Sequence, residues 1–356
     1  MAYRSLVRQT LHYFARPHAG LPSGPIESPA AWRAKELAAE PALRLSAEET
    51  QEIERAVDRV LGKRTALAKL RRQDFDWPDL EARARGWRST LDCGSGVVLI
   101  RGLPTTRWSE QQCEAFFWGL GLTLGVPGAQ NPEGHLLGHV RDEREDVDAV
   151  AVRQYRTRAH IPFHCDAADV VGLLCVKAAK HGGESAIASS VSVFNELWRR
   201  DPALCRRLFE PYFLDTKAEG GLRAFPITPA RHVDGVLRTF YHSDYFRTAP
   251  RHREVPALDE RSLALLDAYD EIASSDEFCL RMRLEPGDVQ LISNHFVVHS
   301  RTAYEDHEDP AERRHLLRLW LSLPHRPSLL DRVRTERARF ALLADLARHR
   351  WRQRGS

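Results

Sequence analysis

Two histidines and an aspartate in the second half of the sequence have the residue types and spacing of a metal site. His164 and Asp166 lie two residues apart in IPFHCDAADV, and His299 follows far downstream in SNHFVVHSR. Side chains two apart on a strand point to the same face, so His164 and Asp166 can both reach one ion. With His299 they make the two-imidazole, one-carboxylate set that leaves coordination positions open for O₂ and a chelating cosubstrate. An H-x-D pair alone is a weak signal, and the rest of the sequence must support it.

The stretch RRHLLRLWLSLPHR supports it because it alternates as a strand. One face carries Leu317, Leu319, Leu321 and Leu323, and the other carries Arg314, Leu316, Arg318 and Trp320. The two arginines are about 13 Å apart along such a strand, so they can bind two different anions, or one anion and one structural partner. The alternative is a surface strand with solvated arginines, but the wholly apolar opposite face favours a buried strand.

Four segments occur in order between Gly94 and Arg326 and together resemble a known family: HCDAADV, GGESAIASS, PGDVQLISNHFVVHSRTAYED and RRHLLRLWL. They are similar to the taurine dioxygenase (TauD/TfdA) family of Fe(II)- and 2-oxoglutarate-dependent oxygenases. The resemblance implies an α+β fold with a double-stranded β-helix (jelly-roll) core flanked by helices. It also implies Fe(II), 2-oxoglutarate and O₂ as cofactors, with release of succinate and CO₂.

The resemblance also implies roles for individual residues. His164, Asp166 and His299 match the iron ligands. Arg314 matches the arginine for the C5 carboxylate of 2-oxoglutarate, Ser185 the hydroxyl residue beside it, and Arg318 a position that binds an acidic group of the substrate. Among further candidates for substrate contact are His160, Asn294 and Trp320. His160 replaces an asparagine of taurine dioxygenase itself, so taurine is not expected as the substrate.

The function expected from these residues is oxidation of a C–H bond of a small, carboxylate-bearing molecule, with hydroxylation as the default outcome. Desaturation or ring formation would use the same residues, whereas the carboxylate of Asp166 argues against halogenation. Two alternatives from other classes remain: a zinc-dependent hydrolase that uses the same three ligands, and a non-catalytic, cupin-like binding protein. The zinc hydrolase leaves the paired arginines unexplained, and the sequence has no H-E-x-x-H motif.

Composition is that of a globular enzyme, with 28% charged and 43% hydrophobic residues in 356. A net charge of +3 is too small to indicate nucleic-acid binding, and no apolar run approaches the length of a membrane span. We expect no signal peptide, and six scattered cysteines without a C-x-x-C pair favour a reducing, cytoplasmic compartment. The expected partner is a small-molecule substrate, and the oligomeric state stays open, a homo-oligomer included.

The chain divides into three predicted parts. Residues 1–85 form a helical N-terminal extension, residues 86–326 the jelly-roll oxygenase domain, and residues 327–356 a basic C-terminal helix. A lid over the substrate is predicted near 216–252, which is rich in glycine, proline and aromatic residues.

Local signals predict several elements within these parts. Ser46 with Glu49 forms a capping box for a helix that ends near Gly62, and Ser109 with Gln112 forms a second box. Further helices are expected near 192–200 and 259–274. His295, four residues before His299, is expected to pack or hydrogen-bond rather than to bind metal.

Overall fold

The computed structural model describes residues 3–40, 42–131, 133–143, 157–217, 223–324 and 329–354. The α-helices of this part are α1 Leu6–Phe14, α2 Ala34–Ala39, α3 Ala47–Gly62, α4 Pro78–Cys93, α5 Glu110–Leu124, α6 Ser190–Arg200, α7 Pro202–Cys205, α8 Ser243–Thr248, α9 Glu260–Ser274 and α10 Leu329–Arg354. The strands are β1 Leu43–Arg44, β2 Val97–Arg101, β3 Val126–Gly128, β4 Leu137–Val140, β5 Ile161–His164, β6 Val170–Lys177, β7 His181–Gly182, β8 Ser185–Ser189, β9 Tyr212–Asp215, β10 Ala224–Ile227, β11 Ala230–Val233, β12 Val236–Thr239, β13 Cys279–Met282, β14 Val289–Ser293, β15 Val297–Arg301, β16 Tyr304–Glu305 and β17 His315–Ser322.

Two β-sheets form the centre of the molecule. The larger has the order β1-β2-β14-β6-β17-β3, with β4 also paired to β17, and the smaller has the order β13-β8-β15-β5. Side chains of the two sheets meet between them, where the Ser185 hydroxyl donates to Oε1 of Gln290 at 3.0 Å. Two sheets with helices around them agree with the predicted α+β class.

Strand β17 is buried on both faces, as its alternating pattern predicts. Its leucines pack in one hydrophobic core with the aromatic residues of α5, including Phe116 and Phe117. Its other face, with Arg318 and Trp320, is turned toward the smaller sheet, where Trp320 bonds to Asp166. The strand therefore separates an apolar layer under α5 from a polar interior between the sheets.

Both predicted capping boxes are present. The Ser46 hydroxyl accepts from the backbone N–H of Glu49 at 3.2 Å, and the Ser109 hydroxyl accepts from that of Gln112 at 3.2 Å. They open α3 and α5, which pack on each other. The helices predicted near 192–200 and 259–274 are α6 and α9.

The predicted boundary at residue 85 is wrong, because it falls inside α4. The extension is also joined to the large sheet, since β1 pairs in parallel with β2 through Leu43 and Ile100. Helix α1 reaches the interior as well: the buried Tyr13 hydroxyl donates to the carbonyl oxygen of Asn294 at 2.9 Å. Sequence composition gives no sign of these long-range contacts. The prediction therefore treated residues 1–85 as more separate from the core than they are.

The region predicted as a lid contains β10, β11, β12 and α8, and its residues 218–222 lie outside the described residues. An isolated β-bridge joins His242, just before α8, to His164. The region thus borders the predicted metal site, and its role as a lid stays a prediction. The basic C-terminal helix is present as α10 and contacts α1. Among the residues described, no helix combines the length and apolarity needed to cross a membrane.

Gly119 and Gly86 offer a test of the packing under α5. A Cβ at Gly119 would lie 2.6 Å from Cε1 of Phe75 and would also overlap Trp77, whereas a Cβ at Gly86 meets nothing within 4 Å. We expect Gly119→Ala to lower the free energy of unfolding by about 1–3 kcal/mol through overpacking. Gly86→Ala, the control at an exposed position of α4, should raise the free energy of unfolding by up to about 1 kcal/mol. Equal effects in denaturant unfolding would contradict the tight packing of α5 on Phe75 and Trp77.

Candidate functional site

Three potential metal ligands converge at one end of the space between the sheets. One ligand atom from each of His164, Asp166 and His299 lies within 4.8 Å of the other two. His164 ends β5 and is directly opposite His299 on β15, with ring centroids 4.2 Å apart. Asp166 follows β5 in a loop, and its Oδ2 is 3.8 Å from Nε2 of His299. Antiparallel pairing thus brings together side chains that are distant in sequence.

Both imidazoles are held in a form suited to binding a cation. Nδ1 of His164 is 2.8 Å from the carbonyl oxygen of Pro162, an interaction that requires the proton on Nδ1 and leaves the Nε2 lone pair free. Burial lowers the pKa of His164, and burial together with His164 lowers the pKa of His299 to about 3. Both rings are therefore neutral near pH 7, as metal binding requires.

The third ligand is ionised despite its burial. Burial by itself raises the pKa of Asp166, but the charge of Arg318, helped by the hydrogen bond from Trp320, outweighs it, so the pKa is below its ordinary value. The indole N–H of Trp320 also donates to Oδ2 of Asp166 at 3.0 Å. One anionic and two neutral ligands with this support fit a divalent cation such as Fe(II).

Asn294 and Trp320, predicted to contact substrate, have their polar atoms directed at the Asp166 loop. Oδ1 of Asn294 accepts from the backbone N–H of Asp166 at 3.0 Å, and its Nδ2 donates to the carbonyl oxygen of Ala168 at 3.0 Å. The Trp320 indole N–H is used on the Asp166 carboxylate itself. Both residues therefore hold a candidate ligand in place through hydrogen bonds that sequence spacing does not reveal, and their contact with the substrate stays a prediction.

Arg318 lies beside the ligand cluster. Its Nη1 is 3.8 Å from Oδ2 of Asp166, and its guanidinium carbon is 5.4 Å from the centroid of the Trp320 ring. Nε donates to Oε1 of Gln130 at 2.7 Å, while Nε2 of Gln130 donates back to the carbonyl oxygen of Arg318 at 2.8 Å. This two-way bond fixes the guanidinium next to the metal site.

Arg314 directly precedes β17, four residues before Arg318. It is buried, and its Nη1 has no hydrogen-bond partner in the part of the chain that the structure describes. Its guanidinium carbon is 5.0 Å from the centroid of the Tyr304 ring, and burial lowers its pKa. Gly183 leaves room for it, since a Cβ there would lie 3.2 Å from Nε of Arg314. A buried cation with an unbonded nitrogen is a receptor for an anion.

Three other predictions have different outcomes. His160 is exposed, ahead of β5, so it is not enclosed with the other candidates. Ser185 is buried on β8, within the polar interior. His295 is not in the cluster: its Nε2 is 2.9 Å from Oδ1 of Asp169, which confirms the predicted hydrogen-bonding role.

Two residues of the site were missed by sequence reasoning. The ring centroid of His242 is 5.1 Å from that of His164 and 3.6 Å from that of Tyr245, and the buried Nδ1 of His242 has no hydrogen-bond partner among the described residues. No spacing rule indicates His242, because folding of the lid region brings it there. Arg301 is different: it lies two residues after His299 on one strand, so the alternation of β15 could have indicated it.

A second group with metal-binding atoms consists of Glu110, His139 and His315. Nδ1 of His139 is 3.0 Å from Nε2 of His315, but Nη2 of Arg141 is 2.6 Å from Oε1 of Glu110 and 3.0 Å from Nδ1 of His315. A guanidinium thus provides the positive charge in this group. We interpret it as a hydrogen-bonded network, and the cluster around Asp166 as the metal centre.

Comparison with known proteins shows the family of this chain. Residues 63–320 match the model of the family described as "Taurine catabolism dioxygenase TauD, TfdA family". The chain belongs to this family. Its relatives include FR-33289 synthase from Streptomyces rubellomurinus, 35% identical over 65% of this chain and 70% of that protein. The taurine hydroxylase-like protein SAT17 from Stachybotrys chartarum is 24% identical over 69% of this chain and 66% of that protein.

Solved structures agree on the fold. Asparagine oxygenase, crystallised with Fe(II), 3-hydroxyasparagine and succinate, superposes with a TM-score of 0.64 at 18% identity, covering 80% of this chain and 94% of that one. The non-haem iron oxygenase OrfP with iron and α-ketoglutaric acid gives a TM-score of 0.58 at 16% identity, covering 79% and 94%. The predicted jelly-roll core is confirmed.

Family membership confirms that the enzyme is a 2-oxoglutarate-dependent dioxygenase with Fe(II), 2-oxoglutarate and O₂ as cofactors, acting on a small molecule. The zinc hydrolase and the non-catalytic binding protein are therefore not supported.

Asn294→Ala tests whether the loop of Asp166 is held as described. We expect a 10- to 100-fold loss of Fe(II) affinity, the usual cost of removing a residue that orients a metal ligand. Asn195→Ala is the matched control, because Asn195 also bonds to one backbone N–H and one carbonyl, both of Ile26. Anaerobic Fe(II) titration should distinguish the variants, and equal affinities would refute the positioning role of Asn294.

Proposed function

We propose that this enzyme hydroxylates a C–H bond of a small anionic molecule at an iron held by His164, Asp166 and His299. The supporting observation is the convergence of His164, Asp166 and His299, together with two buried arginines, Arg318 on β17 and Arg314 directly before that strand. Bound Fe(II) supplies O₂ activation coupled to oxidation of 2-oxoglutarate. The protein holds the reactants in position and excludes competing reactions.

The cosubstrate is oriented by Arg314 and Ser185. Arg314 provides a buried positive charge with an unbonded Nη1, which suits the distal carboxylate of 2-oxoglutarate. Ser185 is on the facing sheet, so its hydroxyl closes the same space from the other side. A carboxylate can only accept a hydrogen bond, so the Ser185 hydroxyl donates to it when its proton turns away from Oε1 of Gln290.

The substrate binds on the side of Arg318 and His242. Arg318 is the charged group of β17 nearest the metal cluster, and its orientation is fixed by Gln130. An anionic group of the substrate would be bound there by charge-assisted hydrogen bonds. His242 borders His164 from the lid region and offers an unbonded Nδ1 to a polar substrate group. Structural neighbours crystallised with hydroxylated amino acids support hydroxylation of a carboxylate-bearing molecule over desaturation or ring formation.

Binding and turnover together test this function. Anaerobic addition of 2-oxoglutarate to the Fe(II)-loaded protein should give the weak visible absorption band of a chelate. Addition of O₂ with a panel of amino acids and small carboxylic acids should then give succinate, stimulated by one compound, and a product heavier by one oxygen atom. A product lighter by two hydrogen atoms would replace hydroxylation by desaturation or ring formation. Absence of the band with intact, iron-loaded protein would contradict the proposal.

Substitutions of Arg314 and Arg318 should affect different binding constants. We expect Arg314→Ala to raise the Kd for 2-oxoglutarate about 10- to 100-fold, because a charge-assisted hydrogen bond is lost. Arg318→Ala should mainly raise the KM for the substrate. Arg281→Ala removes an exposed arginine paired with Asp276 and is the control. Equal effects of the first two variants on both constants would show that the arginine assignment is wrong.

A further inference from the structure

We propose that Arg301 is a second cation of the pocket for the distal carboxylate, so that 2-oxoglutarate is held by two guanidinium groups from opposite sheets. The inference rests on the proposed function and adds a positioning residue to it. Arg301 is the last residue of β15, the strand that carries His299.

The register of the small sheet directs Arg301 into the pocket. On a strand, residues two apart point to the same side, so Arg301 faces the interior that His299 faces. Arg301 is also directly opposite Ser185 on β8, and directly opposed side chains share a face. His299, Arg301 and Ser185 therefore line one side of the same space.

Arg301 has hydrogen-bonding capacity that the protein leaves unused. Nη2 donates to the carbonyl oxygens of Thr157, at 2.8 Å, and Ala159. Nε and Nη1 are buried and have no hydrogen-bond partner within the described part of the chain. Leaving two donors of a buried cation unbonded is costly, so an acceptor is expected there when the site is filled.

The second cation, Arg314, lies against the same aromatic ring as Arg301. The guanidinium carbons of Arg301 and Arg314 are 4.9 Å and 5.0 Å from the centroid of the Tyr304 ring. Two guanidinium groups beside one ring repel each other through their positive charges. One carboxylate between them would remove this repulsion and use the unbonded Nε and Nη1 of Arg301 and Nη1 of Arg314.

The distance along β15 fits a five-carbon dicarboxylate. From His299 to Arg301 the strand advances about 6.6 Å, at ~3.3 Å per residue. A 2-oxo acid that chelates the metal through the oxygen atoms on its first two carbons extends its distal carboxylate over a comparable length. The spacing of His299 and Arg301 on β15 thus matches the distance between the chelating end and the distal carboxylate of the cosubstrate.

Arg301 also connects this pocket to the metal centre. The two carbonyl oxygens that it binds belong to the segment that leads directly into β5, which ends at His164. A carboxylate bound at Nε and Nη1 would fix the guanidinium plane, and with it these backbone contacts. Occupancy of the carboxylate pocket is therefore expected to order the approach to a metal ligand.

The test compares two ligands that differ only at the distal end. 2-Oxopentanoate has the chelating head and the five carbons of 2-oxoglutarate but a methyl group in place of the distal carboxylate. Kd values for both are measured anaerobically on the Fe(II)-loaded protein, from the chelate absorption band or by calorimetry. We compare wild type, Arg301→Gln, Arg301→Lys and the exposed control Arg281→Gln.

If Arg301 binds the carboxylate, the preference for 2-oxoglutarate over 2-oxopentanoate should fall about 10- to 100-fold in Arg301→Gln. Arg301→Lys should recover part of it, since it restores the charge without the planar fork, and Arg281→Gln should match wild type. A purely structural role predicts that both ligands weaken equally in Arg301→Gln, leaving the preference unchanged, and this result would overturn the inference.

Failure of the underlying function has a different signature. If wild type itself binds neither 2-oxo acid in the presence of Fe(II), the proposed function fails, and the inference fails with it. If wild type prefers 2-oxoglutarate and Arg314→Ala abolishes the preference while Arg301→Gln retains it, only the role of Arg301 is refuted.

Discussion

Positive charge buried between two β-sheets constrains the rest of this structure. Arg301, Arg314 and Arg318 are each less than a tenth exposed, and the first two have nitrogen atoms without a hydrogen-bond partner in the described residues. Isolated buried cations cost several kcal/mol each, even after relaxation of the protein around them. The arrangement becomes favourable when anions enter, and a dicarboxylate cosubstrate and an anionic substrate are the anions that the geometry accommodates. A cation at Asp166 completes the charge pattern, since it binds the head of that cosubstrate.

Strand β17 shows how the fold supports these charges. Its leucine face is packed under α5 in the hydrophobic core, which fixes the strand in place. The opposite face then presents Arg318 and Trp320 toward the small sheet, and Arg314 directly precedes the strand. Because the side-chain period of a strand is two, a slip of one residue would bury the leucines in the polar interior. The apolar packing therefore sets the register of the functional groups.

Much of this could be predicted from the sequence because it follows from local periodicity. The H-x-D pair, the alternating face of β17 and the capping boxes at Ser46 and Ser109 each depend on residues close together in the chain. The three side chains converge, although Asp166 lies in the loop after β5 and not on the strand as predicted. Strand β17 is buried on both faces, and α3 and α5 begin where expected.

What could not be predicted depends on contacts between distant segments. Asn294 and Trp320 were assigned to the substrate, yet their polar atoms hold Asp166, a contact across more than a hundred residues. His242 reaches the site only because the lid region folds back onto β5. The predicted boundary at residue 85 was wrong for the same reason, because sequence composition does not indicate that β1 pairs with β2.

The central claim is that His164, Asp166 and His299 hold the metal while Arg314 binds the distal carboxylate of the cosubstrate. The most direct measurement is anaerobic crystallography of the protein with Fe(II) and 2-oxoglutarate, with anomalous diffraction at the iron edge. We predict one strong anomalous peak bounded by these three side chains, with the distal carboxylate of 2-oxoglutarate against Arg314. A strong peak at Glu110, His139 and His315 with none at Asp166, or a cosubstrate carboxylate bound away from Arg314, would contradict the account.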